Sequence, residues 1–503
     1  MSVKQDFKAN VSFPLAVSYD TRRSDAVPYA SGVDQRLVNV IGVPVQNPVS
    51  GAAKYKLVRR SGATQNFSVN AAAGFVPYLC SNSLASPFIA GLTATGTANN
   101  IVTDILGTQT LIAAPTNYRP CFTDVTSITG VDTTVIQCRS LAGLAQRVFY
   151  GTSTGVAWTE INVTSAAFNA LIHVGKMEFM DGYAFIMTSD RRVYNSAINT
   201  LNTWNTGTDF ITKQIEQDTA QGLIRVGRQL LVLGSQSMEV MYNAGNPVGS
   251  PLTTIPSLAK KVGLAQNGTI RFMRHYYVVQ NDTAYFLGTE NPSKNAMGLY
   301  AYRSGEVSMV STTAINDFLQ DLGASGYLCV GSVNVLGAPC VTITYTLPDD
   351  ATMNRWFMYN PRTKEWFEGN STVFAPFGPY YHLGSAITSN ERDVYTIGGL
   401  GIYQDDSVNY EYTVQFKLPP VGSAVRHQHA WAAVEGDTTR SAASLTVEAS
   451  DDDYQTWSTV GTIDMTSPSK KITRLGGFYD RAIRLSYTGS LDIGLYAFLS
   501  RID

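Results

Sequence analysis

The amino-acid sequence predicts an all-β protein: a β-propeller with an additional C-terminal β-sandwich and very little helix. Short apolar or alternating runs, each about four to eight residues long, recur along the chain between Gly, Asn and Asp residues. The composition also favours strands, because the 503 residues include 27 Tyr, 21 Phe and 42 Gly. Long runs of Ala, Glu, Lys and Leu, which are typical of helices, do not occur.

The strands predicted in the central part of the chain follow one another at short intervals. They are Arg147–Tyr150, Val156–Ile161, Met177–Met187, Arg192–Tyr194, Gln229–Leu233, Met238–Tyr242, Thr269–Met273, Tyr276–Gln280, Ala284–Leu287, Leu299–Tyr302, Val341–Thr346, Trp356–Tyr359 and Val394–Ile397. Residues that tolerate a positive φ mark the tight turns between them, as in Asp181-Gly182, Asn281-Asp282 and Ser304-Gly305.

One form recurs among these strands: a strand, a tight turn and a second strand that ends in Tyr, as in residues 177–194 and 227–242. The interval between instances is irregular, about 30 to 55 residues, and lies in the range of a propeller blade. A single blade cannot bury both of its faces, so a ring of blades is expected.

The chain is expected to contain three parts. Residues 1–62 form an N-terminal extended segment that joins the propeller or neighbouring subunits, residues 63–410 form the β-propeller, and residues 411–503 form the C-terminal β-sandwich. Within the propeller, residues 81–117 are rich in Ser, Thr, Ala and Asn and are interpreted either as a loop-rich insertion or as a first, degraded blade. The strand spacing changes near residue 410, and the strands predicted beyond it are Tyr412–Phe416, Ala430–Val434, Ser444–Ala449, Trp457–Ile463, Lys471–Leu475 and Ala482–Tyr487.

Helical periodicity is scarce. The best helix candidate runs from Thr312 to Leu322, because Ile315, Phe318, Leu319 and Leu322 follow i, i+3, i+4, i+7 spacing. Ser311, Thr312 or Thr313 could supply its N-cap, and Gly323 stands just past its end. We interpret it as a short helix that covers a blade edge. A weaker candidate is Lys213–Gln221.

The charge of the chain is low and balanced. Lys plus Arg is 37, Asp plus Glu is 39, and charged residues are only 15% of the total, against a usual figure of about 25%. This balance argues against a protein that binds DNA mainly by neutralising phosphates. It leaves little self-repulsion, which suits a surface covered by neighbouring subunits.

Cysteine usage and hydropathy indicate where the chain is made. The five Cys, at 80, 121, 138, 329 and 340, show no CxxC spacing and are expected to be buried thiols from a reducing compartment. The N-terminal sequence has no apolar region of a secretion signal, and no stretch approaches 18 apolar residues. We therefore expect a soluble chain made in the cytoplasm, without a membrane span.

Three motifs could carry chemistry, and each has a simpler interpretation. His427-Gln428-His429 places two imidazoles on one strand face, but a third metal ligand at suitable spacing is missing, so exposed or packed His is expected. The segment 449–457 resembles the Asp-box of sialidase propellers, which is a structural turn there, and is interpreted as a turn here. A sialidase-like carboxylate clamp is conceivable for four arginines, which are Arg225, Arg228, Arg271 and Arg274. The favoured interpretation is that these arginines lie in blade turns or along a channel.

The common catalytic signatures do not occur: there is no GxxxxGK[ST], no GxGxxG after a strand, no GxSxG and no HExxH. The sequence therefore predicts a protein that is not an enzyme. No catalytic, cofactor-binding or metal-binding residue is assigned, and no cofactor is expected. Residues lining a DNA channel cannot be assigned from the sequence.

Four stretches share the pattern of one family: Leu37–Pro44 followed by Lys56–Gly62, Gly222–Gln229 with Val232–Tyr242, Lys261–Thr269, and Glu306–Ile315. With a closing strand near Ile493–Ile502, they resemble the tail hub, or nozzle, of short-tailed bacteriophages (podoviruses), also called the packaged-DNA stabilisation protein. Two departures are the absence of Pro before Gly62 and Asn316 at a position where the family often has an acidic residue.

The resemblance implies a hexameric β-propeller ring attached below the portal and its adaptor, the head-to-tail connector protein. Such a ring would continue the DNA channel, touch genomic double-stranded DNA transiently, and carry tail fibres or tailspikes. With a tail needle or plug it would retain the genome until ejection. It would be made in the host cytoplasm and reside in the virion tail. Abundant Tyr and few charges agree with large subunit interfaces, and a near-neutral lumen would pass DNA with little friction.

Two other functions remain open at the level of the sequence. A glycan-cleaving propeller, such as a tail depolymerase, would need acidic and Arg side chains converging in one pocket. A glycan-binding adhesin would show exposed Trp on blade loops, and Trp356 and Trp366 could serve it. Trp at strand positions, however, more often packs between blades.

Overall fold

A computed structural model describes residues 9–14, 36–44, 55–68, 76–81, 88–95, 98–105, 108–112, 118–126, 133–140, 146–152, 158–161, 172–265, 276–291, 296–322, 328–335, 337–345, 355–376, 382–384, 393–397, 402–418 and 426–503. Of the eight sheets that their strands form, seven contain a propeller blade and one belongs to a sandwich. The predicted strand Thr269–Met273, together with Arg271, Arg274 and Gly323, lies outside the described residues.

Five strands precede the blades in the chain. They are β1 (Ala9–Pro14), β2 (Arg36–Val38), β3 (Val40–Pro44), β4 (Tyr55–Arg59) and β5 (Ala63–Ser68). The first four belong to the sandwich, and β5 completes the last blade.

Blades one to three are four-stranded antiparallel sheets whose strands pair in chain order. Blade one has β6 (Val76–Ser81), β7 (Phe88–Thr95), β8 (Ala98–Ile105) and β9 (Thr108–Ile112). Blade two has β10 (Tyr118–Thr126), β11 (Thr133–Ser140), β12 (Gln146–Thr152) and β13 (Trp158–Glu160). Blade three has β14 (His173–Met180), β15 (Tyr183–Thr188), β16 (Arg192–Asn195) and β17 (Phe210–Thr212). Residues 81–117 thus contain most of one blade sheet.

Blades four to six repeat this arrangement with one additional short strand in blade five. Blade four has β18 (Ala220–Val226), β19 (Gln229–Gly234), β20 (Met238–Asn243) and β21 (Leu252–Thr254), followed by a 3-10 turn at Pro256–Leu258. Blade five has β22 (Gly263–Leu264), β23 (Tyr277–Gln280), β24 (Thr283–Asn291), β25 (Ala296–Arg303) and β26 (Glu306–Met309). Blade six has β27 (Leu328–Val335), β28 (Ala338–Tyr345), β29 (Arg355–Asn360) and β30 (Glu365–Asn370).

Blade seven draws its strands from two distant parts of the chain. Three of them are β31 (Phe374–Pro376), β32 (His382–Gly384) and β33 (Asp393–Ile397). The fourth is β5, which pairs antiparallel with β33 so that Ala63 lies opposite Ile397. The start and the end of the propeller are therefore hydrogen-bonded to each other.

The tight turns form where the sequence predicts them. Asp181 and Gly182 have φ values of 51° and 83°, and Ser304 and Gly305 have φ values of 51° and 91°. Two successive residues with positive φ give the turn a backbone twist that matches the right-handed twist of the flanking strands. The prediction from residue type is confirmed at these positions and at Asn281-Asp282, where φ is 48° and 56°.

From blade two to blade seven, where side chains are described, apolar clusters join each blade to the next. Phe185 and Met187 of blade three pack in one cluster with Leu223 and Leu230 of blade four. First strands of neighbouring blades, such as β14 with β18 and β27 with β31, contact each other, which places the first strands nearest the propeller axis.

The one α-helix among the described residues, α1 (Thr313–Asp321), is the predicted helix. Thr312 caps it, because its hydroxyl accepts a hydrogen bond from the Ile315 N–H at 3.3 Å. Ile315 and Leu319 are buried in a cluster with residues of blades five and six. The interpretation as a helix that covers a blade edge is confirmed. No helix in the described part of the chain is long and apolar enough to span a bilayer.

The weaker helix prediction, Lys213–Gln221, is wrong. These residues run without helix into β18, which begins at Ala220. The buried ammonium of Lys213 forms an ion pair with Asp218 at 2.5 Å. The carboxylate of Glu239 accepts a hydrogen bond from the Ile215 N–H at 2.7 Å. Lys213 also donates to the Ser237 hydroxyl at 2.6 Å. The bonds to Glu239 and Ser237 come from β20 and the residue before it, so tertiary contacts override local propensity.

The strands after residue 410 form a sandwich together with the N-terminal strands. They are β34 (Glu411–Lys417), β35 (His427–Gly436), β36 (Ser444–Ser450), β37 (Ser458–Asp464), β38 (Lys471–Thr473), β39 (Gly477–Phe478), β40 (Ala482–Thr488) and β41 (Gly494–Ile502). One sheet has the order β2-β34-β40-β36-β37, and the other has the order β3-β4-β41-β35-β38, with β1 on β41 and β39 on β35.

The sandwich and the propeller share both a sheet and a hydrophobic core. Strand β2 pairs in parallel with β30 at Val38 and Glu368, so blade six continues into the first sandwich sheet. One apolar cluster contains Trp356 and Phe374 from the blades and Phe416 and Phe498 from the sandwich. The two parts are therefore joined by packing as well as by chain connections.

Candidate functional site: a buried charged junction

Two chain segments cross between the sandwich and the propeller, and they run side by side. The Gly62 N–H donates to the Ile402 carbonyl at 2.7 Å, and the Asp406 N–H donates to the Ala63 carbonyl at 2.8 Å. A Cβ at Gly62 would lie 2.0 Å from the Gln404 carbonyl oxygen, so only glycine permits this approach. The segments around residues 59–63 and 402–410 form what we call the junction.

A buried ion pair lies at the centre of the junction. Arg60 and Asp405 are each only 1% exposed at the side chain. Nη1 of Arg60 donates to Oδ1 of Asp405 at 2.9 Å, and Nη2 donates to Oδ2 at 2.6 Å. The Arg60 guanidinium carbon also lies 3.9 Å from the ring centroid of Tyr410. Burial alone would lower the pKa of Arg60, but the Asp405 carboxylate outweighs this effect and the pKa is raised.

Arg59 stabilises the junction by hydrogen bonds to backbone carbonyls. Its Nη1 donates to the carbonyls of Gly489 and Leu491 at 2.8 and 2.7 Å. Its guanidinium carbon lies 4.5 Å from the ring centroid of Tyr410 and 5.2 Å from that of Tyr487. Burial lowers the pKa of Arg59 from its usual value. Carbonyl dipoles and aromatic faces offset part of the cost of burying this charge.

Asn39 connects three parts of the chain at the junction. It has a φ of 57°, a conformation that Asn tolerates better than most residues, between β2 and β3. Its Oδ1 accepts from Nε of Arg60 at 2.8 Å and from the Asn370 N–H at 3.1 Å. Its Nδ2 donates to the Glu411 carbonyl at 2.8 Å. The N-terminal strands, blade six and the first strand after residue 410 therefore share one hydrogen-bond network.

A second polar cluster ties first strands of neighbouring blades together. The Tyr276 hydroxyl donates to the Leu223 carbonyl at 2.7 Å and accepts from the Lys176 N–H at 3.0 Å. Gly175 and Gly222 make room for this contact, because a Cβ at Gly222 would lie 2.8 Å from the Tyr276 hydroxyl oxygen. One side chain of blade five thus holds the first strands of blades three and four.

Of the arginines considered for a carboxylate clamp, the structure describes Arg225 and Arg228, which lie at the hairpin between β18 and β19. Arg225 is exposed, and its Nη1 donates to the Phe179 carbonyl at 2.6 Å while its Nε donates to the Gly227 carbonyl at 3.0 Å. Arg228 is exposed in the same turn. These contacts agree with the interpretation as arginines in blade turns.

The histidine pair is packed within the sandwich. His429 is fully buried and lies 2.9 Å from the Ser500 hydroxyl through Nε2. Burial lowers the pKa of His429 to about 4. No cluster of three or more His, Cys, Asp or Glu that could hold a metal ion occurs among the described residues.

The Asp-box-like segment is a turn between β36 and β37, as interpreted from the sequence. Oδ1 of Asp452 accepts from the Thr456 N–H at 2.9 Å, and the Ser450 hydroxyl accepts from the Tyr454 N–H at 2.9 Å. The hydroxyl and the N–H of Thr456, which both donate to the Asp452 carboxylate, lower the pKa of Asp452 to about 2. The polar groups named here form their hydrogen bonds within the turn.

Trp356 and Trp366 are buried, at 0% and 3% exposure, so neither can stack on a glycan at the surface. Cys329 and Cys340 are buried free thiols, as expected. Burial raises the pKa of the Cys340 thiol to about 12. The other three cysteine side chains lie outside what the structure describes.

Sequence reasoning assigned no role to the residues of the junction. Arg60 was part of a family-like stretch, but Asp405 lies 345 positions away and carries no local signal. The one local sign was Arg59-Arg60, a pair of charges directly after an apolar strand in a chain poor in charge.

The fold and this junction define a class of protein: a seven-bladed propeller in which the buried charges of the described residues serve cohesion between parts of the chain. Within that class, residues 114–327 match the family model described as bacteriophage P22 Gp10, beta-propeller. The matched range covers blades two to five and α1. The resemblance to the phage tail hub proteins is thereby confirmed for these residues, which make up less than half of the chain.

No curated protein matches the chain in sequence. Among solved structures, the propeller domain of the trilobed protease from Pyrococcus furiosus is 10% identical, with a TM-score of 0.38, and covers 65% of this chain and 96% of its own. YCF48 bound to D1 peptide is 9% identical, with a TM-score of 0.35, and covers 68% and 96%. An exo-beta-1,3-galactanase from Phanerochaete chrysosporium is 11% identical, with a TM-score of 0.28, and covers 88% and 100%. At such scores these likenesses carry no functional argument.

Proposed function

We propose that this chain forms the ring-shaped hub, or nozzle, of a short bacteriophage tail. The ring, a hexamer, continues the DNA channel below the portal and its adaptor protein, retains packaged DNA and anchors tail fibres or tailspikes. At ejection it lets the genome pass, with a needle or plug closing it beforehand. The match of residues 114–327 to the phage family model carries this proposal.

The physical character of the chain supports the proposal. A conduit must not grip DNA, because every phosphate contact adds friction to ejection. With 37 basic and 39 acidic residues, the chain has no excess of positive charge for such contacts. The junction supports it too, since the buried Arg60–Asp405 pair and the shared core join propeller and sandwich into one body that can transmit force along a tail.

The mass of the purified protein in solution tests the proposal. Light scattering should give a sixfold mass, either for the protein alone or after addition of the purified portal–adaptor complex. A chain that stays monomeric in both conditions would contradict the ring. A glycan-hydrolysis and glycan-binding screen would then follow, although the burial of Trp356 and Trp366 speaks against the glycan alternative.

A second experiment tests DNA retention itself. DNA-filled heads that carry portal and adaptor, but lack this protein, should lose their genome on storage. Addition of the purified protein should restore nuclease-resistant DNA. Retention that is equal with and without the protein would contradict the stabilising role.

A further inference from the structure

The outer edge of β41 is divided between two N-terminal strands. Strand β4 pairs with its beginning, where Leu57 lies opposite Leu495 and Val58 opposite Gly494. Strand β1 pairs with the rest, from Pro14 opposite Ala497 to Ala9 opposite Ile502. The other side of β41 is covered by β35. Without β1, residues 497–502 would present an unpaired strand edge.

Strand β1 fits this opening in length. Its six residues pair with 497–502, six of the seven positions that β4 leaves unpaired up to Ile502. Pro14 stands where β1 meets β4, and proline ends a ladder because it has no N–H to donate. Among the described residues, β1 pairs with no other strand.

The connection of β1 to the rest of the chain is long. The 21 residues from 15 to 35 separate Pro14 from Arg36, where β2 begins. At about 3.3–3.6 Å per residue, 21 residues can span up to about 70–75 Å. The strand can therefore reach the same edge on an adjacent copy.

We infer that β1 is exchanged between neighbouring copies, so that each subunit donates β1 to the β41 edge of the next. The inference rests on the proposed ring. An exchanged strand makes the same backbone hydrogen bonds as a retained one, so exchange has little cost within the ladder. In a closed ring each copy gives one strand and receives one, and every exposed edge is covered. The low net charge of −2 leaves little repulsion between the copies.

Paired cysteines distinguish exchange from pairing within one chain. Ser12 lies opposite Leu499, which is only partly buried, so one subunit would carry Ser12→Cys and another Leu499→Cys. After mixing, assembly and mild oxidation, we expect a disulfide-linked dimer on a non-reducing gel. In the chain that carries both substitutions, we expect linked multimers up to the full ring. A linked monomer from the double variant, with no dimer from the mixture, would overturn the inference.

A matched control uses the far side of the same sheet. Thr473 on β38 is exposed and is separated from β1 by β41 and β35, or about 14 Å at the usual strand spacing. Ser12→Cys mixed with Thr473→Cys should therefore give no more dimer than the single variants. If this mixture gave as much dimer as the mixture of Ser12→Cys with Leu499→Cys, the dimers would come from random collision. That result would also overturn the inference.

Removal of residues 1–14 separates this inference from the proposed function. The shortened chain should keep the circular dichroism spectrum of a folded β protein but lose the sixfold mass. A full ring from the shortened chain would refute strand exchange and leave the tail-hub proposal standing. A full-length chain that forms no ring would refute both.

Discussion

Arg60 and Asp405 show how much depends on single residues at the junction, because both charges are removed from water and each is the counterion of the other. Removing one partner leaves the other charge buried and uncompensated. Asp405→Asn should therefore lower the free energy of unfolding by about 3–5 kcal/mol. Urea unfolding measures this change. Asp406→Asn, at an exposed neighbour, is the matched control and should cost less than about 0.5 kcal/mol.

Glu365 gives the molecule a pH dependence. It is 7% exposed at the start of β30, and its Oε2 lies 3.5 Å from where a Cβ of Gly42 would be. Burial raises the pKa of Glu365 to about 7. The folded state therefore holds this proton more tightly than the unfolded state. The resulting stability is complete below about pH 4.5 and is lost as the pH rises through 7.

The native protein should consequently lose up to about 3 kcal/mol of stability from this group between about pH 4.5 and 8, most of it below pH 7. Glu365→Gln should flatten that part of the curve. His173 and His429, whose pKa values burial lowers to about 4, change the stability in the opposite direction between about pH 4 and 6.5, but they do so equally in the native protein and in Glu365→Gln, so the difference between the two curves reports Glu365. Urea unfolding at four pH values would measure the slope. An equal slope in both proteins would show that Glu365 is not the group responsible.

At the scale of elements, Tyr276 is the contact by which blade five fastens blades three and four. Tyr276→Phe keeps the aromatic ring but removes the hydroxyl. The Leu223 carbonyl and the Lys176 N–H then lose their hydrogen bonds to it. We expect a loss of about 1–3 kcal/mol in the free energy of unfolding. Tyr479→Phe, at a 61% exposed tyrosine, should leave stability nearly unchanged. Equal losses in the two variants would contradict the role of the hydroxyl.

The elements also show what the sequence could and could not predict. Hairpin turns such as Asp181-Gly182 were predictable because positive φ is a local property of residue type. The helix at Lys213–Gln221 was a false prediction because the bonds of Lys213 to Ser237 and of Ile215 to Glu239 are tertiary. The pairing of β5 with β33 has no local signal at all, since over 300 positions separate the strands. The Arg60–Asp405 site was unpredictable for the same reason.

At the scale of the whole molecule, the near-neutral charge predicts weak contact with DNA. The affinity of the assembled ring for a short duplex should change little between about 50 and 200 mM salt, because few phosphates are neutralised. Fluorescence anisotropy with a labelled duplex measures the slope of log K against log salt. A slope of about −6 or steeper would reveal a strongly basic lumen and contradict a low-friction conduit.

The pairing of the first strands with the last has a consequence for the timing of synthesis. Leu57 cannot pair with Leu495, nor Ala63 with Ile397, until the ribosome has translated residues 495 and 397, respectively. At about 5–20 residues per second, residue 495 follows residue 57 by roughly 20 to 90 seconds. The last blade lacks β33 for most of that interval, and the sandwich lacks β41 for all of it. A prematurely terminated chain never acquires them, so incomplete translation products are excluded from assembly by the topology alone.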